Sequence, residues 1–284
     1  MAKFQMSYSK IISYIGRILV FLLLTILTQI GGAIYLLNFS TYRFINRKVN
    51  NQWLRRLCKF STFVLFYLLA TFLIVPVLAK PFGRVRLPVM ATNNLRPLTF
   101  LTCLLNRNYV RKDLREVAFS VAKEMNRKYP GTIINYLDAS FPFINGFPLF
   151  PHLSHNDGRK VDLSFCYKDK QSLLETNGAP SPIGYGICEE PVGTEKNTSQ
   201  FCSANGYWQY SFLKSVMPQG RKNDFVFYEE KTKYLVQLFC NDNRIGKIFI
   251  EPHLKSRLQL TSDKIRFHGC QAVRHDDHIH VQLK

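Results

Sequence analysis

Two short stretches of the chain concentrate the residue types that handle metal ions and protons. One is Ser154-His155-Asn156-Asp157-Gly158-Arg159-Lys160-Val161-Asp162, and the other is His275-Asp276-Asp277-His278-Ile279-His280-Val281. Five of the seven histidines, His152, His155, His275, His278 and His280, sit in or beside them. Two imidazoles and a carboxylate can hold a zinc ion and leave its fourth position open to water. Bound zinc lowers the pKa of that water towards about 7 and polarises a carbonyl oxygen. A nearby base then completes a centre suited to amide hydrolysis.

Geometry supports the grouping. His278 and His280 are two apart, so an extended segment over 277–283 turns both imidazoles to the same face. Asp162 follows His155 by seven residues with Gly158 between them. A glycine there permits a turn that brings a loop histidine and a strand carboxylate onto one ion. Either spacing alone is a weak signal; the two together are much stronger. His253 and His268 are read as structural or surface groups without a role, and Asp276 as a solvated turn residue. His152 is equally consistent with orienting a neighbour and with stabilising a transition state.

The elements that must position these residues can be read around them. Asp113 is expected to cap a helix, with Glu116 three residues on. Leu114, Val117, Ala118, Val121, Ala122 and Met125 then give it one apolar face, and Tyr129-Pro130-Gly131 stops it. Short strands are expected over 132–136, 161–167, 247–250 and 279–283, with helices over 229–240 and 252–258. Residues 141–152 form a Phe, Pro and Gly loop that can wall a cleft. Residues 168–205 read as a long inserted loop that a Cys188–Cys202 bridge could hold. Asn197-Thr198-Ser199 matches a glycosylation sequon, a pattern frequent by chance.

The net charge of +19 invites a nucleic-acid reading until it is mapped. Residues 1–112 hold 16 Lys and Arg and no carboxylate; the rest of the chain is close to neutral. The basic third also contains two uncharged apolar runs, 18–37 and 60–79, each long enough to cross a bilayer as a helix. Basicity next to such runs points to a membrane rather than to nucleic acid. Arg43, Arg47, Lys48, Arg55, Arg56 and Lys59 fall between the runs, while Lys3, Lys10 and Arg17 precede them. The positive-inside rule then puts the connecting loop in the cytoplasm and both chain ends outside. Six cysteines follow Cys58, an even number that suits an oxidising compartment, and no Cys-x-x-Cys pair supports a zinc ribbon.

The two motif stretches resemble the signatures of the LAS metallopeptidases, the group of lysostaphin-type enzymes, D-Ala-D-Ala peptidases and the hedgehog signalling domain. They are most similar to the penicillin-insensitive murein endopeptidases. The likeness extends to the order helix, Lys-Tyr-Pro-Gly turn, strand, Pro/Gly loop and Pro151-His152-x-Ser154-His155, and covers about residues 110–284. It implies an α+β fold, a small antiparallel sheet with flanking helices, here preceded by a two-helix transmembrane hairpin. The expected organisation is a hairpin over 1–80, a stalk over 81–110 and a zinc peptidase domain over 111–284. The resemblance makes His155, Asp162 and His280 the zinc ligands and places Asp277, His278, His275 and His152 at the active site. Which of Asp277, His278 and His275 takes the proton is left open. The implied activity is cleavage of amide bonds in peptidoglycan peptides by a domain held on the outer side of the cytoplasmic membrane. A zinc-containing binding module without turnover, and a zinc amidohydrolase acting on a non-murein peptide, are the competing expectations.

Overall fold

The apolar run at 18–37 does not form one helix. In the computed structural model, which describes residues 8–284, α1 (Tyr8–Thr28) ends at Gln29 in a left-handed conformation (φ 66°). Lys3, counted above among the flanking charges, lies outside the described residues. α2 (Gly31–Lys48) folds back along α1, and the reversal is tight because Gly32 has no side chain. A Cβ there would stand 2.0 Å from Thr25 Oγ1. α3 (Gln52–Leu69), capped by Asn51 accepting from the Leu54 N–H, returns antiparallel to α2. It passes through a π turn (Ala70–Ile74) into α4 (Val75–Leu78). Pro76 accounts for the π turn: it has no N–H for the carbonyl of Phe72, and Arg86 Nη1 donates to that oxygen instead, at 3.3 Å.

Two helices, Ile11–Thr28 and Gln52–Leu78, are long and apolar enough to cross a membrane. The expected two-helix hairpin over 18–37 and 60–79 is therefore corrected to a three-helix unit whose first candidate span ends before Gln29. The Arg17 guanidinium lies over the Phe39 ring at 5.7 Å, so the start of α1 sits at the same end as the α2–α3 turn. The arrangement with both chain ends opposite that turn does not fit this packing.

Residues 81–110 are no stalk. β1 (Val85–Arg86), β2 (Leu95–Pro97), α5 (Phe100–Leu104) and β3 (Tyr109–Val110) are built into the domain. Leu87, Leu95 and Val110 belong to its core, and β2 pairs with a strand of the main sheet. Three prolines and no period hid this, because two- and three-residue strands carry no pattern of their own.

α6 (Lys112–Lys128) buries the six apolar residues expected of it. Its cap differs: Arg111 occupies the N-cap position and Asp113 lies in the first turn, where a carboxylate favours the helix dipole. β4 (Ile134–Tyr136) and β5 (Lys160–Ser164) follow. The segment read as one inserted loop holds β6 (Tyr167–Asp169), β7 (Glu175–Thr176) and α7 (Thr198–Ala204). α8 (Phe212–Val216), β8 (Phe225–Phe227), α9 (Glu229–Asn241), β9 (Ile245–Phe249), α10 (Pro252–Arg257), β10 (Ile265–Arg266) and β11 (His278–Leu283) complete the chain. Cys202 is bridged to Cys270, not to Cys188, which is a buried free thiol.

The fold is α+β, as expected, but its main sheet is not purely antiparallel. Its order is β10-β9-β11-β5-β4-β2, antiparallel through the middle four strands and parallel at both edges. Val161, Leu163, Ile279 and Val281 join α6 and α9 in the core on one face. Period-two alternation sends Asp162, Ser164, His278 and His280 to the other face. That face is buried as well, beneath the loops that precede β5 and β11.

Candidate metal centre

Strand register sets the first contact of the site. β11 pairs with β5 so that His280 stands directly opposite Asp162 and His278 opposite Ser164. Directly paired residues have Cβ atoms about 4.5–5.5 Å apart, and His280 Nδ1 reaches Asp162 Oδ1 at 2.9 Å. The third member comes from the loop before β5. Gly158, with φ 75°, turns the chain there, and a Cβ on it would lie 2.5 Å from the Arg84 guanidinium. This turn brings His155 Nε2 to 3.1 Å from Asp162 Oδ1 and 3.0 Å from His280 Nδ1.

His155, Asp162 and His280 form a buried group whose donor atoms can hold a metal ion. Its hydrogen bonding fits that role. His155 Nδ1 donates to the Ala139 carbonyl at 2.9 Å, so its Nε2 carries a lone pair. That lone pair faces a carboxylate oxygen at 3.1 Å, an approach of two acceptors that a cation between them would stabilise. Tyr185 Oη donates to Asp162 Oδ2 at 2.8 Å and leaves Oδ1 for the histidines. The metal-ligand set implied by the sequence is thus brought together.

The four residues placed at the active site divide. His152 Nδ1 lies 3.2 Å from Asp138 Oδ2, and Asp138 is paired with Arg107 at 2.7 Å. An ionised carboxylate only accepts, so His152 carries its proton on Nδ1 and leaves Nε2 free, buried and without a protein partner. His278 is arranged the same way: Nδ1 meets Asp277 Oδ1 at 2.5 Å, and Nε2 has no protein partner. Asp277 is fully engaged, since its Oδ2 accepts from the Gly186 N–H at 2.6 Å. It orients His278 rather than facing the metal-ligand group. His275 packs between His278 and His280, with ring centroids 4.8 and 5.7 Å away.

Burial and charge set the protonation states. Burial would raise the Asp162 carboxyl, but His155 and His278 beside it hold it well below the usual range. Burial pushes His280 down to about 3 against the pull of Asp162. Burial, with His278 and His280 adding to it, also keeps His275 well below its ordinary value. His278 goes the other way. Burial opposes its charge, yet Asp162 and Asp277 together lift it to about 9. Burial and the carboxylates of Asp138 and Asp162 hold the Tyr185 hydroxyl well above its normal range, so it remains a donor.

The group lies on the wall of a cleft of about 480 Å³, with His152, His275 and His278 also lining it. Trp208, Phe212 and Leu213 form an apolar wall, tied to the loop before β11 by the Cys202–Cys270 bridge.

Several residues that shape the centre are absent from the motif stretches. Tyr185 and Asp138 each touch a motif residue, and Arg107 fixes Asp138. The only sequence mark of Tyr185 is its place between Gly184 and Gly186. His268, read as having no role, lines the cleft with its ring stacked on Phe249 at 4.1 Å. His253 is structural, with Nε2 2.7 Å from the Glu189 carbonyl. Asp276 is not a solvated turn residue: it is buried and paired with Arg274.

No family model matches the chain, and a search of curated proteins finds no match.

Proposed function

We propose that the chain is a membrane-anchored zinc peptidase that hydrolyses amide bonds in peptidoglycan peptides. The observation that carries this reading is the convergence of His155 Nε2, His280 Nδ1 and Asp162 Oδ1 on the wall of an open cleft. Two imidazole nitrogens and a carboxylate oxygen are a zinc donor set that leaves a coordination position free. A zinc ion held there would supply Lewis acidity to the scissile carbonyl and acidify its water.

The chain's own residues supply the proton handling. His152, oriented by Asp138, presents a lone pair at Nε2 and serves as the general base. His278, oriented by Asp277 through Nδ1, lines the cleft with Nε2 free of protein partners and passes a proton from that nitrogen to the departing amine. Asp277 and His275 are positioning groups in this scheme. The apolar wall of Trp208, Phe212 and Leu213 shields the cleft from water and holds the substrate.

The same reading places the domain outside the cytoplasm. The α2–α3 turn is flanked by Arg47, Lys48, Arg55 and Arg56, and the start of α1 lies at that end. The positive-inside rule makes it cytoplasmic, and the Cys202–Cys270 bridge agrees with an oxidising compartment for the domain.

The test uses the full-length chain in nanodiscs, zinc-loaded, with cross-linked and linear muropeptides read by mass spectrometry. Chelator-sensitive release of peptide fragments is expected. Stoichiometric zinc binding without cleavage of any muropeptide would count against it and favour a binding module. Metal content unchanged in both His155→Ala and Asp162→Ala would refute the ligand assignment.

A further inference from the structure

The domain meets the candidate spans directly. The first span, Ile11–Thr28, has 18 residues and rises about 27 Å, close to the thickness of a bilayer's hydrocarbon core. A bilayer crossed by this helix would end near Thr28, whose carbonyl is 3.5 Å from Asn106 Nδ2. The next residue, Gln29, accepts the Phe143 N–H through Oε1 at 2.9 Å. The second span meets the domain at the same level. Tyr67 Oη donates to the Leu104 carbonyl at 2.5 Å, and the Phe72 ring stacks on Phe100 with centroids 5.7 Å apart. α5 thus lies beside the upper turns of α3, at the level of the bilayer surface.

What the domain shows there is apolar. Phe82, Phe100, Leu101 and Ile144 are between 47% and 56% exposed. Exposed apolar residues mark an interaction surface, and these adjoin the candidate spans: Phe82 packs on Phe143, which Gln29 holds, and Phe100 stacks on Phe72. Lys80 lies exposed next to them in a stretch without a carboxylate, as suits a surface near anionic headgroups.

A second groove, of about 110 Å³, begins at this surface. Leu101, Leu105, Ile183 and Leu213 line it. It reaches Asp138, the carboxylate that orients His152, and it shares Pro151 and Leu213 with the main cleft. The groove and the cleft therefore adjoin across Pro151 and Leu213, with the groove opening beside α5 and the metal-ligand group on the wall of the cleft.

We infer that the substrate is a peptide carried on a hydrocarbon tail in the membrane, with the tail in the groove between α5 and Leu213 and the peptide in the cleft. This deepens the peptidase reading and rests on it. The tail supplies binding energy at a distance from the scissile bond, and the surface of α5 brings the cleft to the lipid rather than to bulk water.

The experiment uses the full chain in nanodiscs of phosphatidylglycerol and phosphatidylethanolamine. Trp53 and Trp208 are its only tryptophans. A Phe100→Trp reporter in a Trp53→Phe, Trp208→Phe background should lose more than about half of its emission to lipids nitroxide-labelled near the headgroup. Quenching no greater than that of N-acetyl-tryptophanamide in solution with the same discs would overturn the membrane contact. Rates are then compared for one zinc-dependent peptide substrate with and without a palmitoyl tail. A kcat/KM at least about tenfold higher for the tailed form is expected, with Leu101→Glu removing the preference and leaving the untailed rate unchanged. Equal rates in the unmodified protein would overturn the inference while the peptidase reading stands. Turnover of neither form would overturn the peptidase reading and this substrate class together, with the quenching result still deciding the membrane contact.

Discussion

Tyr185→Phe removes one hydroxyl and with it two hydrogen bonds, one of them to a candidate metal ligand. The hydroxyl donates to Asp162 Oδ2 at 2.8 Å and accepts from the Asp138 N–H at 3.2 Å. The ring itself packs against His152 and His278, with centroids 4.4 and 4.9 Å away, and phenylalanine keeps that packing. The other groups near Oδ2, His278 Nε2 at 3.6 Å and His152 Nδ1 at 3.7 Å, are too distant to replace the lost donor. A hydrogen bond to a charged group contributes about 1.5–3 kcal/mol. Partners that orient metal ligands typically hold about 10–100-fold in affinity, and tenfold is about 1.4 kcal/mol, so the two scales agree. We expect zinc affinity to fall about 30-fold, or about 2 kcal/mol, measured by competition with a chromophoric chelator on the full-length protein. Because burial and the neighbouring carboxylates keep Tyr185 protonated well above pH 10, the deficit should be the same at pH 6.5 and pH 8.5. An affinity within about threefold of the unmodified protein, with circular dichroism unchanged, would refute the role assigned to this hydroxyl.

Asp138→Asn removes the ionised partner that fixes the His152 tautomer, so kcat on a cleaved muropeptide should drop about 10²–10⁴-fold with zinc content unchanged; an unaltered kcat would exclude His152 as the base. Cys202→Ser opens a link between residues 68 apart in sequence, which should lower stability by about 2–4 kcal/mol in denaturant unfolding and increase proteolysis of the Trp208 segment; equal protease resistance would contradict the bridge's hold on the cleft wall. In the metal-free protein His278 is raised from 6.5 to about 9, so its stabilisation is complete below pH 6.5 and disappears as pH rises through 9, on the order of 3 kcal/mol. His280 is lowered to about 3, so its contribution is complete above pH 6.5 and diminishes as pH falls towards 3. Metal-free stability should therefore peak near pH 6.5 in thermal melts, and a monotonic profile over pH 4–9 would contradict these two assignments.

The parts of the fold that could be read from the chain are those with a period of their own. The α6 face from Leu114 to Met125 repeats at helical spacing and is buried as a unit, and the alternation in β5 and β11 sorts core from site residues. The first apolar run failed as a single span because its length and hydropathy are indifferent to Gln29 and to Gly31-Gly32, which reverse the chain. A window of 20 apolar residues describes a solvent preference; the turn inside it depends on a close helix contact at Thr25 that only tertiary packing reveals. Residues 81–110 failed for a related reason. Their strands are paired with Ile134–Tyr136 and with each other, so nothing local announces them.

The site shows the same division on a smaller scale. Asp162, His278 and His280 are legible because two neighbouring strands, β5 and β11, carry them in register, and His155 because a short turn at Gly158 ties it to β5. Asp138, Arg107, Tyr185 and His268 are not, since each reaches the site across a separate loop. Yet these residues decide what the motif can do. Without Asp138 the His152 tautomer is unspecified, and without the Gly186 N–H the Asp277 carboxylate is free to leave His278. The segment containing Tyr185 and Gly186 is the one that sequence alone reduced to an insertion. It adds to the cover over the polar face of the sheet through Tyr185 and Gly186. Burial lowers both His278 and His280, and the Asp162 and Asp277 carboxylates outweigh it only at His278. The protonation pattern assigned to an acid and a ligand therefore comes from loops and strands together: the loops supply burial and Asp277, and β5 supplies the Asp162 charge.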